Sequence, residues 1–175
     1  MATARITVNG TNNAGAWFNE ILDQVDLHLS IDEGTDTPND SDYVGTDTPG
    51  SALKLNIAGM PTDLVTMTGV DVVIRKYANG IACGTVQIFE SDGTTALTDS
   101  VAMSNPGSPT NETVTLTVTG ATDKAAWDDA ILVVTSGAGS GDTAVFTVDL
   151  DITYSNAITI VLPVTQLVIY DKTNV

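Results

Sequence analysis

Three observations predict an all-β fold, a single jelly-roll-like antiparallel β-sandwich. One third of the 175 residues are β-branched (27 Thr, 19 Val and 12 Ile), a composition that suits half-buried pleated surfaces and disfavours helices. Apolar and polar residues alternate along several short segments, and turns that contain Gly or Pro separate these segments. A parallel α/β sheet would need amphipathic crossover helices, and the sequence shows no such pattern.

Two strands are defined most clearly by alternation. In the segment Glu112–Thr119, Val114, Leu116 and Val118 point to one face and threonines point to the other. The segment Ala144–Tyr154 alternates in the same way and predicts a buried face of Phe146, Val148, Leu150, Ile152 and Tyr154. Five more segments are predicted as strands: Ala52–Ala58, Thr66–Tyr77, Ile81–Glu90, Ala96–Met103 and Ile131–Thr135.

Turn signals lie between these strands. Asn79-Gly80 and Asp92-Gly93 are predicted as hairpin tips, because Asn, Asp and Gly accept the positive φ of tight hairpins. Only residues 14–22 and 122–129 favour helix, and Thr122 is the predicted N-cap of the second segment. Two further predicted turns are Asn105–Pro109 and Gly137–Gly141.

The ends of the chain are predicted to be arms. Residues 25–155 form the sandwich domain, residues 1–24 form an N-terminal arm, and residues 156–175 form a C-terminal arm or an edge strand, because Pro163 removes a hydrogen-bond donor from any ladder. Apolar extended arms need a cover, either the same domain or a neighbouring subunit, and both alternatives stay open. The predicted anchor residues are Trp17, Phe18, Ile21, Leu22, Val161, Leu162, Val164, Leu167, Val168, Ile169 and Tyr170.

The charge and the cysteine content exclude several classes of function. With 22 acidic and 6 basic residues the net charge is -16, which repels a nucleic-acid backbone. The single Cys83 cannot form an internal disulfide, and no Cys/His metal set accompanies it. Because no apolar run is long enough to cross a bilayer and no secretory signal is visible, we expect a soluble protein that contacts no membrane.

The densest carboxylate cluster is the segment Asp32–Asp42. Oxygen ligands suit Ca²⁺, so this segment is a weak candidate calcium site. It departs from the EF-hand order because Gly34 comes early and no Glu closes the loop, so a solvated loop with Asx turns is the favoured alternative. No other cofactor is predicted. The candidate calcium ligands are Asp32, Asp36, Asp40 and Asp42.

Catalytic patterns are weak, and the sequence predicts a protein that is not an enzyme. The only histidine, His28, alternates with apolar residues, which favours a hydrogen-bonded structural role, and no nucleophile motif accompanies it. Glu90 and Glu112 both lie at strand ends beside turns, which gives little support to a glycosidase carboxylate pair.

Glycan binding requires exposed aromatic rings, and this chain has few aromatic residues. Phe89 and Phe146 fit the alternation of core residues, and Trp127 is expected to close one end of the sandwich. Tyr77, beside Asn79-Gly80, is the best candidate for an exposed ring. Glycan binding therefore stays open as a minor alternative.

Three segments resemble β-sandwich modules of tailed-bacteriophage virion proteins. They are Leu27-His-Leu-Ser-Ile-Asp-Glu-Gly-Thr-Asp-Thr-Pro-Asn-Asp-Ser-Asp-Tyr-Val44, then Val70-Asp-Val-Val-Ile-Arg75, and the strand Val145–Tyr154. Those modules share an Ile-Asp-Glu start, a Pro-x-Asp-x-Asp-Tyr turn and a Val-x-Val-x-x-Arg strand in this order, and the similarity spans residues 27–154. The resemblance implies a structural virion component.

This resemblance, the acidic charge and the predicted arms together favour a capsid decoration (cement) protein. Such a protein is made in the host cytoplasm and lies on the outer capsid surface, where its arms bridge neighbouring subunits of the major capsid protein. A homotrimer is what the resemblance implies. The alternative is a head-fibre or tail-associated β-sandwich module that binds host-surface glycans.

Overall fold

The fold was established from a computed structural model that describes residues 1–19, 24–31, 35 and 38–157. The described residues contain ten strands, one short α-helix and one 3-10 helix at Leu27–Ser30. The elements are β1 (Ala2–Asn13), β2 (Phe18–Asn19), β3 (Val44–Thr46), β4 (Ala52–Ile57), β5 (Leu64–Ile81), β6 (Thr85–Phe89), β7 (Val101–Ala102), β8 (Thr110–Leu116), α1 (Lys124–Trp127), β9 (Ile131–Thr135) and β10 (Gly139–Asn156).

The strands form two layers, and all pairs of neighbouring strands among the described residues are antiparallel. In the first layer β5 lies between β8 and β10, and the far edge of β10 pairs with β1 and β3. In the second layer the order is β1, β4, β9, β6 and β7. Strand β1 joins the layers, because residues 2–7 pair with β10 and residues 8–13 pair with β4.

The core lies between these layers and confirms the predicted all-β sandwich. It is built from the alternate residues of both layers, as the period of two requires. Val114 and Leu116 of β8 are buried on one face, as alternation predicts. Other core residues are Ile6, Leu55, Val72, Ile74, Val86, Ile88, Leu132, Val134, Val148, Leu150 and Ile152.

A β-bulge at Phe146 changes the face to which β10 side chains point. Val145 pairs with Lys76, whereas Thr147 pairs with Arg75, so Phe146 is the extra residue of β10. Val145 therefore joins the core, while Phe146 lies on the outer face against Tyr43. The predicted burial of Phe146 is confirmed, since the residue is only 5% exposed, but its side chain points to the opposite face from the predicted one, because uninterrupted alternation does not allow for an inserted residue.

Asn79 and Gly80 are not a hairpin tip but part of the long strand β5. Both pair with Asp142 of β10, and Gly80 has a φ of 92°. A Cβ on Gly80 would lie 2.0 Å from the carbonyl oxygen of Ser140, so the glycine permits a close approach of two backbones. The dipeptide correctly predicts a backbone with positive φ, but in the structure this conformation lies within the paired strand β5 and not in a turn.

Residues 2–13, which lie in the predicted N-terminal arm, form a paired strand of the sandwich. The first half of strand β1 pairs with β10 and the second half with β4, and Trp17 is fully buried, with its Nε1 donating to the carbonyl oxygen of Ser51 at 3.1 Å. Phe18 is half-buried in β2, where it pairs with Gly45. Trp17 is therefore covered by its own domain and not by a neighbouring subunit. Ile21, Leu22 and the predicted C-terminal anchors lie outside the described residues.

Helix α1 contributes its Trp127 to the core. Its N-cap is Asp123, whose Oδ1 accepts a hydrogen bond from Ala126 N at 3.3 Å, and not the predicted Thr122. Trp127 is fully buried and its Nε1 donates to Ala121 O at 2.8 Å. The described part of residues 14–22 forms a turn and β2 rather than a helix.

The described residues form no apolar helix long enough to span a membrane.

Candidate ligand-binding face

A hollow of about 230 Å³ on the outer face of the first layer gathers three aromatic rings. Tyr43, Tyr77 and Phe146 line it together with Ala144. The Tyr43 and Phe146 rings lie with centroids 6.0 Å apart and planes inclined at 53°. Three larger hollows, of about 470, 420 and 250 Å³, contain no aromatic ring, and the first two are lined mainly by polar side chains. The aromatic hollow is therefore the candidate site for a ligand with an apolar face.

Strand pairing explains why these rings meet. Tyr77 of β5 pairs with Ala144 of β10, whose small side chain leaves open space in front of the tyrosine ring. The bulge turns Phe146 outward on the same strand, and Tyr43 precedes β3, which pairs with the other edge of β10. Sequence reasoning identified Tyr77, but Tyr43 and Phe146 were missed because no local signal marks the bulge.

Asp40 and Arg75 form a clamp at the rim of the hollow. The Arg75 guanidinium donates from Nε to Asp40 Oδ1 at 2.5 Å and from Nη2 to Asp40 Oδ2 at 2.6 Å. A third bond runs from Arg75 Nη1 to Asn111 Oδ1 at 3.1 Å. The hydrogen bonds from Arg75 hold the pKa of Asp40 below its usual value, so the pair stays ionised.

Asp142 is the second carboxylate at the rim. Its Oδ1 accepts a hydrogen bond from Asn79 Nδ2 at 2.7 Å, across the irregular end of the β5–β10 ladder. Asn79 is a neutral amide, and no ion pair between described residues includes Asp142. At the rim, Arg75 therefore neutralises the charge of Asp40, whereas no ion pair between described residues neutralises Asp142.

The segment that carries Asp40 and Tyr43 is tied to the sheet below it. Asp149 of β10 is only 2% exposed, and its Oδ2 accepts two hydrogen bonds from Thr35, from the backbone N at 2.8 Å and from Oγ1 at 2.9 Å. Asn111 Nδ2 also donates to the Thr35 carbonyl at 3.5 Å. These hydrogen bonds hold Thr35, which precedes the rim residues, against the outer face of the sheet.

The candidate calcium ligands are placed only in part. Asp32 and Asp36 lie outside the described residues, Asp40 is occupied by Arg75, and Asp42 accepts from Asn39 Nδ2 at 3.5 Å. Ser41 N donates to Asn39 Oδ1 at 3.1 Å, which is the Asx turn of the favoured alternative. The described part of the chain holds no group of three or more His, Cys, Asp or Glu side chains arranged to bind a metal ion.

The other candidate residues have structural contacts. His28 lies in the 3-10 helix and contacts Thr11 of β1. Its backbone N donates a hydrogen bond to Thr11 Oγ1 at 2.9 Å, and its ring Nδ1 lies 3.4 Å from the same oxygen. Glu112 Oε2 lies 2.6 Å from Nζ of Lys76, whose side chain is fully buried, and it also accepts a hydrogen bond from Ser104 Oγ at 2.9 Å. Glu90 follows β6, where its backbone N donates to Thr95 O at 2.8 Å.

Comparison with known proteins supports the architecture. No protein-family model matches the sequence, and no curated protein sequence matches it. The family 6 carbohydrate-binding module of Clostridium cellulolyticum, solved in complex with xylose, superposes with a TM-score of 0.50 at 14% identity, over 86% of this chain and 96% of that module. The chain shares this module's β-sandwich fold. At this level of identity the likeness shows the fold alone.

Two further solved structures have similar coverage. The C-terminal family 6 module of a marine laminarinase from Zobellia galactanivorans has a TM-score of 0.49 at 15% identity, over 87% of this chain and 100% of that chain. A module of the Cellvibrio mixtus lichenase 5A, in complex with cellotriose, has a TM-score of 0.49 at 13% identity, over 89% of this chain and 100% of that chain. The β-sandwich implied by the virion resemblance is confirmed, and the virion assignment stays a prediction.

Proposed function

We propose that this protein is a non-catalytic glycan-binding module and that the aromatic hollow is its binding site. The observation that carries the proposal is the meeting of Tyr43, Tyr77 and Phe146 in one hollow whose rim bears Asp40 and Asp142. Aromatic rings pack against the apolar C–H face of a sugar, and carboxylates and amides accept or donate hydrogen bonds to its hydroxyls.

The three rings have different roles in this proposal. Tyr77 and Tyr43 are half-buried, so their faces can stack on a sugar, whereas Phe146 is only 5% exposed and serves as the floor. The Asp40–Arg75 clamp holds the rim rigid, which lowers the entropy cost of binding. A hollow of about 230 Å³ is shallow and fits about one sugar ring, so the neighbouring rings of a chain would lie on the open face.

The fold adds architectural support. The Clostridium module that was solved with xylose is built on the same β-sandwich as this chain. Tyr77, the exposed ring that the sequence predicts for glycan binding, lines the hollow together with Tyr43, Phe146 and the two carboxylates.

Isothermal titration with three hexasaccharides tests the proposal. Cellohexaose, xylohexaose and the β-1,4-linked glucosamine hexamer are titrated against the intact chain. We expect at least one to bind, and Tyr77→Ala to weaken that binding about tenfold or more, because a stacking ring at the centre of a small site carries much of the affinity. Tyr77→Phe keeps the stacking face and should retain most of the affinity.

Phe89→Ala is the matched control. Phe89 is a half-buried aromatic residue of β6, in the layer opposite the hollow, so its loss should leave the affinity unchanged. Far-ultraviolet circular dichroism and the urea midpoint establish that each variant is folded. Failure of all three sugars to bind, or equal affinity of the Tyr77→Ala variant and the parent, would refute the proposed site.

The capsid decoration function stays a prediction, as do its partners, the major capsid protein and two further copies of the chain. One argument for this function was a free N-terminal arm, but residues 2–13 form a paired strand and Trp17 is buried in the core of the same chain. The C-terminal anchors, Val161 to Tyr170, lie outside the described residues. A glycan-binding module is compatible with the alternative, a head-fibre or tail-associated component that binds host-surface glycans.

A further inference from the structure

The charges around the aromatic hollow distinguish between classes of glycan. The two oxygens of Asp40 are both occupied by Arg75, so this ion pair adds no net charge to the rim. Lys76, the next residue along β5, is fully buried and is bonded to Glu112 and Ser104. Neither of these cations is available to neutralise Asp142.

Asp142 presents a charged oxygen at the edge of the hollow. Asn79 occupies Oδ1, while Oδ2 accepts no hydrogen bond from any residue that the structure describes. Tyr43 and Tyr77, whose aromatic rings have electron-rich faces, line the same hollow. A carboxylate and aromatic faces together attract a cation and repel an anion, and the net charge of -16 acts in the same direction.

We infer that the aromatic hollow prefers glycans that carry free amino groups over neutral glycans, and that it rejects uronic-acid and sulfated glycans. This inference rests on the proposed function, since it concerns the same hollow. One sugar ring stacks on Tyr77, and the ammonium group of an amino sugar donates a hydrogen bond to Asp142 Oδ2 while it lies near the tyrosine rings.

Three hexamers that differ in one substituent test the preference. Cellohexaose, the N-acetylglucosamine hexamer and the glucosamine hexamer share a β-1,4-linked backbone, and carbon 2 bears a hydroxyl, an acetamido or an ammonium group respectively. We expect the glucosamine hexamer to bind about fivefold more tightly than cellohexaose at low salt, because the contact with the exposed Asp142 is partly screened. The difference should shrink in 0.5 M sodium chloride. A hexamer of galacturonate should not bind.

The variant Asp142→Asn removes the charge and keeps the shape of the side chain. It should abolish the preference for the glucosamine hexamer, so that the two hexamers bind the variant with about equal affinity. Asp129→Asn is the matched control, because Asp129 is exposed and lies beside another hollow, and its substitution also removes one negative charge. This control should keep the preference.

The outcomes separate the inference from the proposed function. If Tyr77→Ala abolishes binding of all hexamers but the parent binds cellohexaose as tightly as the glucosamine hexamer, the inference is overturned and the glycan site stands. A preference that survives in Asp142→Asn would also overturn it, because non-specific attraction to an acidic protein would then be the cause. If no hexamer binds the parent, the proposed function itself fails.

Discussion

Removal of the charge of Glu112 should destabilise the protein strongly, because it leaves an ammonium buried without its counterion. Lys76 Nζ is fully buried and lies 2.6 Å from Glu112 Oε2, whose side chain is 25% exposed. Lys76 also donates to Ser104 O at 2.6 Å and to Ser104 Oγ at 3.0 Å. In Glu112→Gln these two contacts remain, but no negative charge compensates the ammonium.

The cost follows from burial. Breaking a fully buried ion pair costs about 3–5 kcal/mol, and the partial exposure of Glu112 reduces this to about 2–3 kcal/mol of unfolding free energy. With a urea m-value of about 2 kcal/mol/M for a domain of this size, the midpoint should fall by about 1–1.5 M. The emission of Trp17 and Trp127, both fully buried, follows the unfolding.

Two variants make the test specific. Asp151→Asn breaks the Arg5–Asp151 pair, whose side chains are 40% and 42% exposed, and should cost less than about 1 kcal/mol. Adding Lys76→Met to Glu112→Gln removes the buried charge and should recover at least about 1 kcal/mol of the loss. Equal midpoints for Glu112→Gln and Asp151→Asn, or no recovery in the double variant, would refute this reasoning.

The same pair predicts a dependence on pH. Burial raises the pKa of Glu112, but the hydrogen bonds from Lys76 and Ser104 outweigh it, so the pKa is lowered from its usual 4.5. A lowered carboxyl pKa stabilises the folded state above the usual value, and this contribution is lost as the pH falls through the folded-state pKa. The gap in midpoint between the parent and Glu112→Gln should therefore be largest near pH 7 and shrink below about pH 4.5.

Three further predictions concern the backbone and the segment over the outer face, and each is read from urea midpoints. Gly80→Ala should cost more than about 3 kcal/mol, because a Cβ would lie 2.0 Å from a backbone carbonyl oxygen, whereas Gly107→Ala, with open space around it, should change stability by less than about 0.5 kcal/mol. Asp123→Ala should cost about 1 kcal/mol through loss of the N-cap, and Thr122→Ala should cost little; the reverse order would contradict the observed cap. Thr35→Val removes a hydroxyl donor from a buried carboxylate and should cost about 1–2 kcal/mol, and an unchanged midpoint would show that this hydroxyl does not stabilise the fold.

Local patterns in the sequence determined the strands and the fold class. Alternation placed β8 and most of β10, because side chains of successive strand residues point to opposite faces whatever the partner strand is. The high content of β-branched residues and the short spacing of turns favoured a sandwich for the same local reasons. Tyr77 could be selected because it is an aromatic residue beside Asn79-Gly80, a segment that no core pattern includes.

Long-range pairing decided the rest, including the binding face. Whether residues 2–13 are an arm or a strand depends on β10 and β4, which lie far along the chain. The bulge at Phe146 exists only relative to the register of β5, and the Asp40–Arg75 clamp joins residues that are 35 positions apart. A periodic pattern carries no information about partners or insertions, so the hollow with its three rings could emerge only when the strands were placed side by side.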